Sequence, residues 1–155
     1  MSATGTGFRW EGRHRARETA LRMLYQIEVG GAAVADVARS HEAIGGADAI
    51  EIDDEARQLA VALVEGAWQQ REVIDDYIAD AARNWRVERL AIIDRLILRL
   101  AVHELLTHPS TPPRVVLDEA IELARAYSGD EAAKFVNGVL NGVFKRLKEE
   151  GKVIE

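Results

Sequence analysis

Two short stretches set ionisable side chains close enough together to do chemistry. "HELLTH", from His103 to His108, holds two histidines and a glutamate. A helical zinc site of the H-E-x-x-H kind needs its histidines four residues apart, so that both reach one metal from one helix face. Here they stand five apart, about 140° round a helix, and that spacing argues against a shared metal. His103 reads instead as a half-buried helix residue, and His108 as a charge partner for the C-terminal end of its helix. "DEAIEL" places Asp118, Glu119 and Glu122 near one another. Grouped carboxylates can move protons or hold a cation. No second cluster accompanies them in the motif, so they read as a solvated or partner-facing helix side. The chain has no cysteine, which removes disulfides and thiolate zinc sites and fits a reducing cytoplasm. No nucleophile–base pair, P-loop or dinucleotide fingerprint occurs. The residues therefore predict no catalytic group, no metal and no cofactor.

Cations offer a different chemistry, because arginine and lysine give nucleic acids affinity through phosphate contacts. The formal net charge is −6, which taken alone argues against such a partner. Its distribution does not. Residues 1–30 carry five arginines against three glutamates, and residues 134–152 carry five Lys/Arg against two glutamates. Residues 31–133 hold twenty acids against ten bases. Two basic ends and an acidic middle suggest two partners of opposite charge.

The elements that must position these groups read as helices throughout. "GRHRARETALRMLYQIEVG", Gly12 to Gly30, puts Ala16, Ala20, Met23, Leu24 and Ile27 on one side at 3.6-residue spacing. Arg15, Thr19, Arg22 and Gln26 fall opposite, with Arg13 and Arg17 at the edge of the apolar stripe, where long stems lie on a core. A weaker helix is expected over Ala33–Ile44, then a loop, then a helix capped by Asp53 or Asp54 and running to Gln70. Further helices are expected over Arg71–Ala82 and Asn84–His108, the latter apolar enough to be central. All three prolines stand in "PSTPP", Pro109 to Pro113, and must break the chain. A short amphipathic helix "VVLDEAIELARAY", a turn "SGD" and a last helix over Glu131–Glu149 complete the chain.

That last helix contains "KFVNGVLNGVFKRLK", Lys134 to Lys148, with two glycines four apart and two asparagines four apart. Phe135, Val136, Val139, Leu140, Val143 and Leu147 fill one arc, and Lys134, Asn137, Asn141, Lys145 and Lys148 a stripe opposite. Gly138 and Gly142 on the flank are expected to admit a neighbouring backbone, and Asn137 to tie the helix to a neighbour. Trp68 and Trp85 read as core and core-edge residues. Trp10, in a tail of small residues over 1–10, lies near enough to the arginines to stack on a base. No stretch of about 18 uncharged apolar residues occurs, so no membrane span is expected, and the N-terminus lacks the apolar region of a signal peptide.

Four motifs in order, "RHRARETALRMLYQ" (Arg13–Gln26), "IIDRLILRLAVHEL" (Ile92–Leu105), "VVLDEAIELARAYS" (Val115–Ser128) and "KFVNGVLN" (Lys134–Asn141), resemble the NusB family of transcription antitermination factors. The resemblance covers about residues 12–147. It implies an all-α fold of about seven helices in two small packed bundles, within a single domain over 11–150 flanked by tails over 1–10 and 151–155. It implies no enzymatic activity, and a cytoplasmic factor that pairs with NusE, a small-subunit ribosomal protein. The pair would read single-stranded boxA RNA in ribosomal RNA leader transcripts and join an RNA polymerase antitermination complex that runs through terminators. By position, Arg13, His14, Arg15 and Arg17 match the family's arginine run, with His14 where an arginine is common. Tyr127, Glu131 and Lys134 match the rest of the RNA-contacting set, and Tyr25 and Asp94 the side facing NusE. Asn141 stands where an aspartate is frequent. Whether the free chain is a monomer or a homodimer is left open. So are two other readings: the RNA-binding module of an RNA methyltransferase-like protein, whose relatives continue into a catalytic domain beyond the point where this chain stops at Glu155, and a helical adaptor without RNA contact.

Overall fold

The structure is a computed structural model that describes residues 2–37, 53–83, 86–107 and 111–153, with the backbone alone for residues 2–12. The described residues are helical, and no strand occurs among them. They divide into two compact units, Met1–Glu65 and Gly66–Glu155.

Unit 1 is built on α1 (Ser2–Gly30). Ala16, Ala20, Leu21, Met23, Leu24 and Ile27 are all buried on it. The burial is wider than the simple stripe, since Thr19, expected on the outer side, is fully buried. The helix begins at Ser2, so residues 2–10 continue α1 where a separate tail was expected. No proline interrupts them, and a helix propagates more readily from a formed segment than it nucleates. Gly31 then stops α1 at φ +71°, with its N–H donating to the Ile27 carbonyl at 3.1 Å. This is a conformation that suits glycine. The next helix, α2, is described at residues 34–37. The remainder of its expected span to Ile44, and the expected loop after it as far as residue 52, lie outside the described residues.

The third helix, α3 (Asp54–Gln69), carries the boundary between the units within its length. Asp53 caps it, its Oδ1 accepting the Ala56 N–H at 2.8 Å. Asp54 and Glu55 in the first turn face the positive end of the helix dipole.

Unit 2 continues with α4 (Arg71–Ala81), a single 3₁₀ turn (Val87–Arg89), α5 (Ile92–Thr107), α6 (Pro113–Ser128) and α7 (Asp130–Glu149). Of the single helix expected over Asn84–His108, the described residues, 86–107, form this 3₁₀ turn followed by α5. Arg83 has φ +22° and Leu90 is extended, so the backbone leaves helical geometry twice before Ile92. Leu90 is nevertheless buried, which preserves its apolar role without a helix. Every residue from Leu96 to Leu105 is buried, and α5 packs against α4, α6 and α7. Pro113 opens α6 at a position where a missing N–H costs no hydrogen bond. Gly129, at φ +94°, is the single residue between α6 and α7.

Two polar fastenings hold α4. The Arg99 guanidinium of α5 forks onto Asp75, both bonds at 2.8 Å. Two residues further along and round the helix, Arg146 of α7 lies over the Tyr77 ring, 4.1 Å from its centre. The Tyr77 hydroxyl donates to Glu150 at 2.6 Å and accepts from the Lys152 Nζ at 2.7 Å. The hydroxyl and Arg146 hold the Glu150 carboxyl below its ordinary range. Of the glycines in α7, Gly142 packs on α4, where an added Cβ would lie 3.1 Å from the Ala81 Cβ. Gly138 faces open space, so the expectation of close packing holds at one of the pair. Among the described residues no helix is long and apolar enough to cross a membrane.

Candidate nucleic-acid interface

In unit 1 the arginine run lies along α1, and one turn of helix gives its members different fates. Arg15 is exposed, Arg13 and His14 are half-buried, and Arg17 keeps only 4% of its surface accessible. Residues 13 and 17 are one turn apart and share a side with Ala16 and Ala20, while Arg15 points away. Arg15 is thus the cation of this run most open to a phosphate. Further along, Tyr25 is 42% exposed and Val29, one turn on, is 50% exposed. Large apolar side chains left open at helical spacing suit a protein partner better than water.

In unit 2 the turn between α6 and α7 gathers a second set. Tyr127 is half-buried in the last turn of α6, and Glu131 and Lys134 are exposed in the first turns of α7. Lys134 sits 3.9 Å from Glu131, both side chains largely in solvent. A pair of that kind holds its lysine weakly and leaves it available to an anion. The turn itself is braced by Arg125, which pairs with Glu122 and with Asp130 at 3.3 Å.

Asp94, near the start of α5, meets the same turn. It is 92% buried, and its carboxyl is pushed above the ordinary value by desolvation, opposed by a hydrogen bond with Ser128. Its Oδ1 is buried without a partner among the described residues. The structure therefore brings Tyr127, Glu131, Lys134 and Asp94 to one end of unit 2. Arg13, His14, Arg15, Arg17 and Tyr25 lie together on α1 in unit 1.

His103 is buried, with Nδ1 3.0 Å from Gln70 Oε1 and Nε2 3.2 Å from Thr107 Oγ1. Among the described residues no group of three or more His, Asp or Glu is placed to hold a metal ion. Trp68 stacks under the Arg71 guanidinium at 4.2 Å. The side chain of Trp10, and residues Trp85 and His108, lie outside what the structure describes. Asn137 bonds to Asn141 on its own helix at 3.2 Å, rather than to the neighbour expected. Sequence reasoning missed the depth to which Arg17 and Asp94 are buried. The signal for Arg17 was its place at the rim of the apolar stripe; for Asp94 there was none, since its burial depends on the distant α6–α7 turn.

Among the described residues these features define an all-helical protein whose candidate groups lie along α1 and around the α6–α7 turn. The NusB family model matches residues 14–145. The transcription antitermination protein NusB of Symbiobacterium thermophilum is 43% identical over 141 residues, covering 88% of this chain and 91% of the relative. T. maritima NusB superposes with a TM-score of 0.75 at 33% identity, covering 91% of this chain and 97% of that one. A chain in a crystal structure of the antitermination factors NusB and NusE in complex with double-stranded RNA gives a TM-score of 0.74 at 29% identity, covering 88% and 98%. The chain belongs to the NusB family, whose members are transcription antitermination factors and not enzymes.

Proposed function

We propose that this antitermination factor binds boxA RNA in ribosomal RNA leader transcripts as a heterodimer with NusE, and so helps RNA polymerase in the cytoplasm read through terminators. The observation that carries this reading is the likeness to a chain crystallised with NusE and RNA. The exposed Arg15 and Lys134 supply phosphate contacts, with Arg13 and His14 beside Arg15. Arg17, buried, anchors α1 and sets the line of the run. Tyr127 offers a ring face to an unpaired base, the usual means of reading single-stranded RNA. Glu131 tempers the anion affinity of the α7 start. Tyr25 with Val29, and Asp94, face NusE. With a net charge of −6 the chain alone binds RNA weakly, and a basic partner cancels the repulsion.

Fluorescence anisotropy of labelled boxA and scrambled RNA, at two salt concentrations and with or without NusE, tests the proposal. Selective, salt-sensitive binding that tightens with NusE is the expected result. Equal and poor binding of both RNAs in the presence of NusE overturns it. Light scattering with and without RNA decides between a monomer and a homodimer in the free state.

A further inference from the structure

Unit 2 has a groove between the start of α6 and the middle of α7, about 280 Å³ in volume, whose lining includes neither Tyr127 nor Lys134. Leu117, Ile121 and Phe144, all half-buried, give it apolar walls, with Pro112 and Pro113 at one end. Asn137 and Asn141 border it from α7 and Arg114 from α6, all three exposed. Resting on the RNA-binding reading above, we propose that this groove holds one unpaired base of the bound RNA.

The chemistry of the lining selects that occupant. The Asn141 Nδ2 donates to the Asn137 Oδ1 at 3.2 Å, which spends one donor and one acceptor on the pair. The Asn137 amide group and the Asn141 carbonyl oxygen remain, a donor group beside an acceptor. Flipping both amides preserves that balance. A base edge that presents a donor beside an acceptor, as adenine and cytosine do with their exocyclic amines, complements it. Asp118, also exposed at the groove, accepts from such an amine and repels a phosphate, so it selects the base over the backbone. The Phe144 ring gives the base an apolar face. Arg114 holds a cation at the rim for the adjoining phosphate. Along α7, Lys134, Asn137, Asn141 and Lys145 recur at three- and four-residue steps, and all four are exposed. The amide pair therefore sits on one helix side between two cations, a charge pattern that follows a polyanion rather than a peptide.

The test uses the full chain with NusE and a set of boxA RNAs, each lacking one base but keeping its backbone. It is run on the parent and on the Asn137→Ala/Asn141→Ala double variant. Both asparagines are exposed on a helix, where alanine is the better helix former, so the variant folds. For the parent, one abasic position is expected to weaken binding about five-fold or more. In the double variant intact boxA binds weaker by a similar factor, that position no longer matters, and the salt dependence is unchanged because no phosphate contact is lost. An unchanged abasic profile in the variant overturns the proposal while leaving the RNA-binding reading intact. So does loss of NusE binding with RNA affinity retained, which marks the groove as a peptide site. If the parent shows no preference for boxA over scrambled RNA, the broader reading fails and this one with it.

Discussion

Gly66 is the glycine at which one methyl group should matter most. A Cβ built there would lie 2.1 Å from the His103 Cε1 and 2.3 Å from its Nε2, far inside contact distance. The ring has little freedom to retreat. It is 5% exposed, its Nδ1 lies 3.0 Å from Gln70, and Thr107 Oγ1 sits 3.2 Å from its Nε2. Overpacking of this kind costs about 1–3 kcal/mol. Alanine returns up to about 1 kcal/mol through its helix propensity. At so deep an overlap the upper part of that range, about 2–3 kcal/mol, applies, so Gly66→Ala should lose roughly 1–2 kcal/mol net, a fall in Tm of about 2–8 °C for a chain of this size. Gly138→Ala is the control. It lies on the exposed side of α7 with nothing within 4 Å of an added Cβ, so only the propensity gain applies. That variant should gain about 0.5–1 kcal/mol. Thermal and urea melts followed by circular dichroism measure both. In the double variant with His103→Ala, the penalty at Gly66 should shrink, because the atoms it strikes are gone. Melting of Gly66→Ala at or above the parent temperature would refute the close approach.

Three further expectations concern charge. Arg15→Ala should weaken boxA binding and reduce the salt slope by about 0.7, the value for one lost single-strand phosphate contact, whereas Arg17→Ala should lower Tm with little change in slope; the reverse assignment in salt titrations would show that burial misleads here. Glu131→Gln should tighten RNA binding at low salt and lose its advantage as salt rises, since it removes an exposed repulsion beside Lys134, and looser binding would count against a phosphate near that turn. Burial raises the Asp94 carboxyl, so its contribution to stability is fully present below the ordinary carboxylate value and is lost as pH rises through the raised folded value. Asp94→Asn should flatten that fall within the same window, and parallel stability–pH curves for variant and parent would contradict the desolvation.

The helical class and most helix positions were legible because 3.6-residue periodicity is a local property. In α6, Val116, Ala120, Leu123 and Ala124 recur as that period demands, and all are buried. Helix breaks away from proline were harder to read. The interruption before α5 depends on a positive φ at Arg83 and an extended Leu90, and neither residue type announces it. Glycine packing divided for a similar reason. The wheel of α7 locates Gly138 and Gly142 on one flank, but only the position of α4 decides that Gly142 meets Ala81 and Gly138 meets nothing. Gly66 escaped notice because the side chain it admits, His103, is 37 residues away in the chain and belongs to another helix. For the candidate site, residue types were legible and exposure was not. Arg15 and Arg17 look alike in sequence and differ in the one property that decides whether a phosphate can reach them.

The acidic middle of the sequence overstates how much negative charge is free to attract a basic partner. Twenty acids stand in residues 31–133. Several of them are already held inside unit 2. Asp75 forks onto Arg99, and Asp76 and Asp80 lie 3.7 and 3.6 Å from Arg146. Glu122 and Asp130 share Arg125. An acid paired one to one, as Asp75 is, presents a near-neutral surface at distances beyond a Debye length, and an arginine shared by two acids cancels the field of one of them. Asp94, 92% buried with a raised carboxyl, contributes by contact more than by long-range field. Meanwhile Tyr25 and Val29 leave apolar surface open on α1. Association with NusE should therefore rest more on buried apolar area than on bulk charge. Raising salt should slow its association rate while leaving most of the affinity, and Tyr25→Ala should cost about 1 kcal/mol or more, the threshold that separates anchoring contacts from neutral ones. Stopped-flow association kinetics and calorimetry across a salt series check these. A steep loss of affinity with salt, together with an indifferent Tyr25→Ala, would return the weight to the acidic middle.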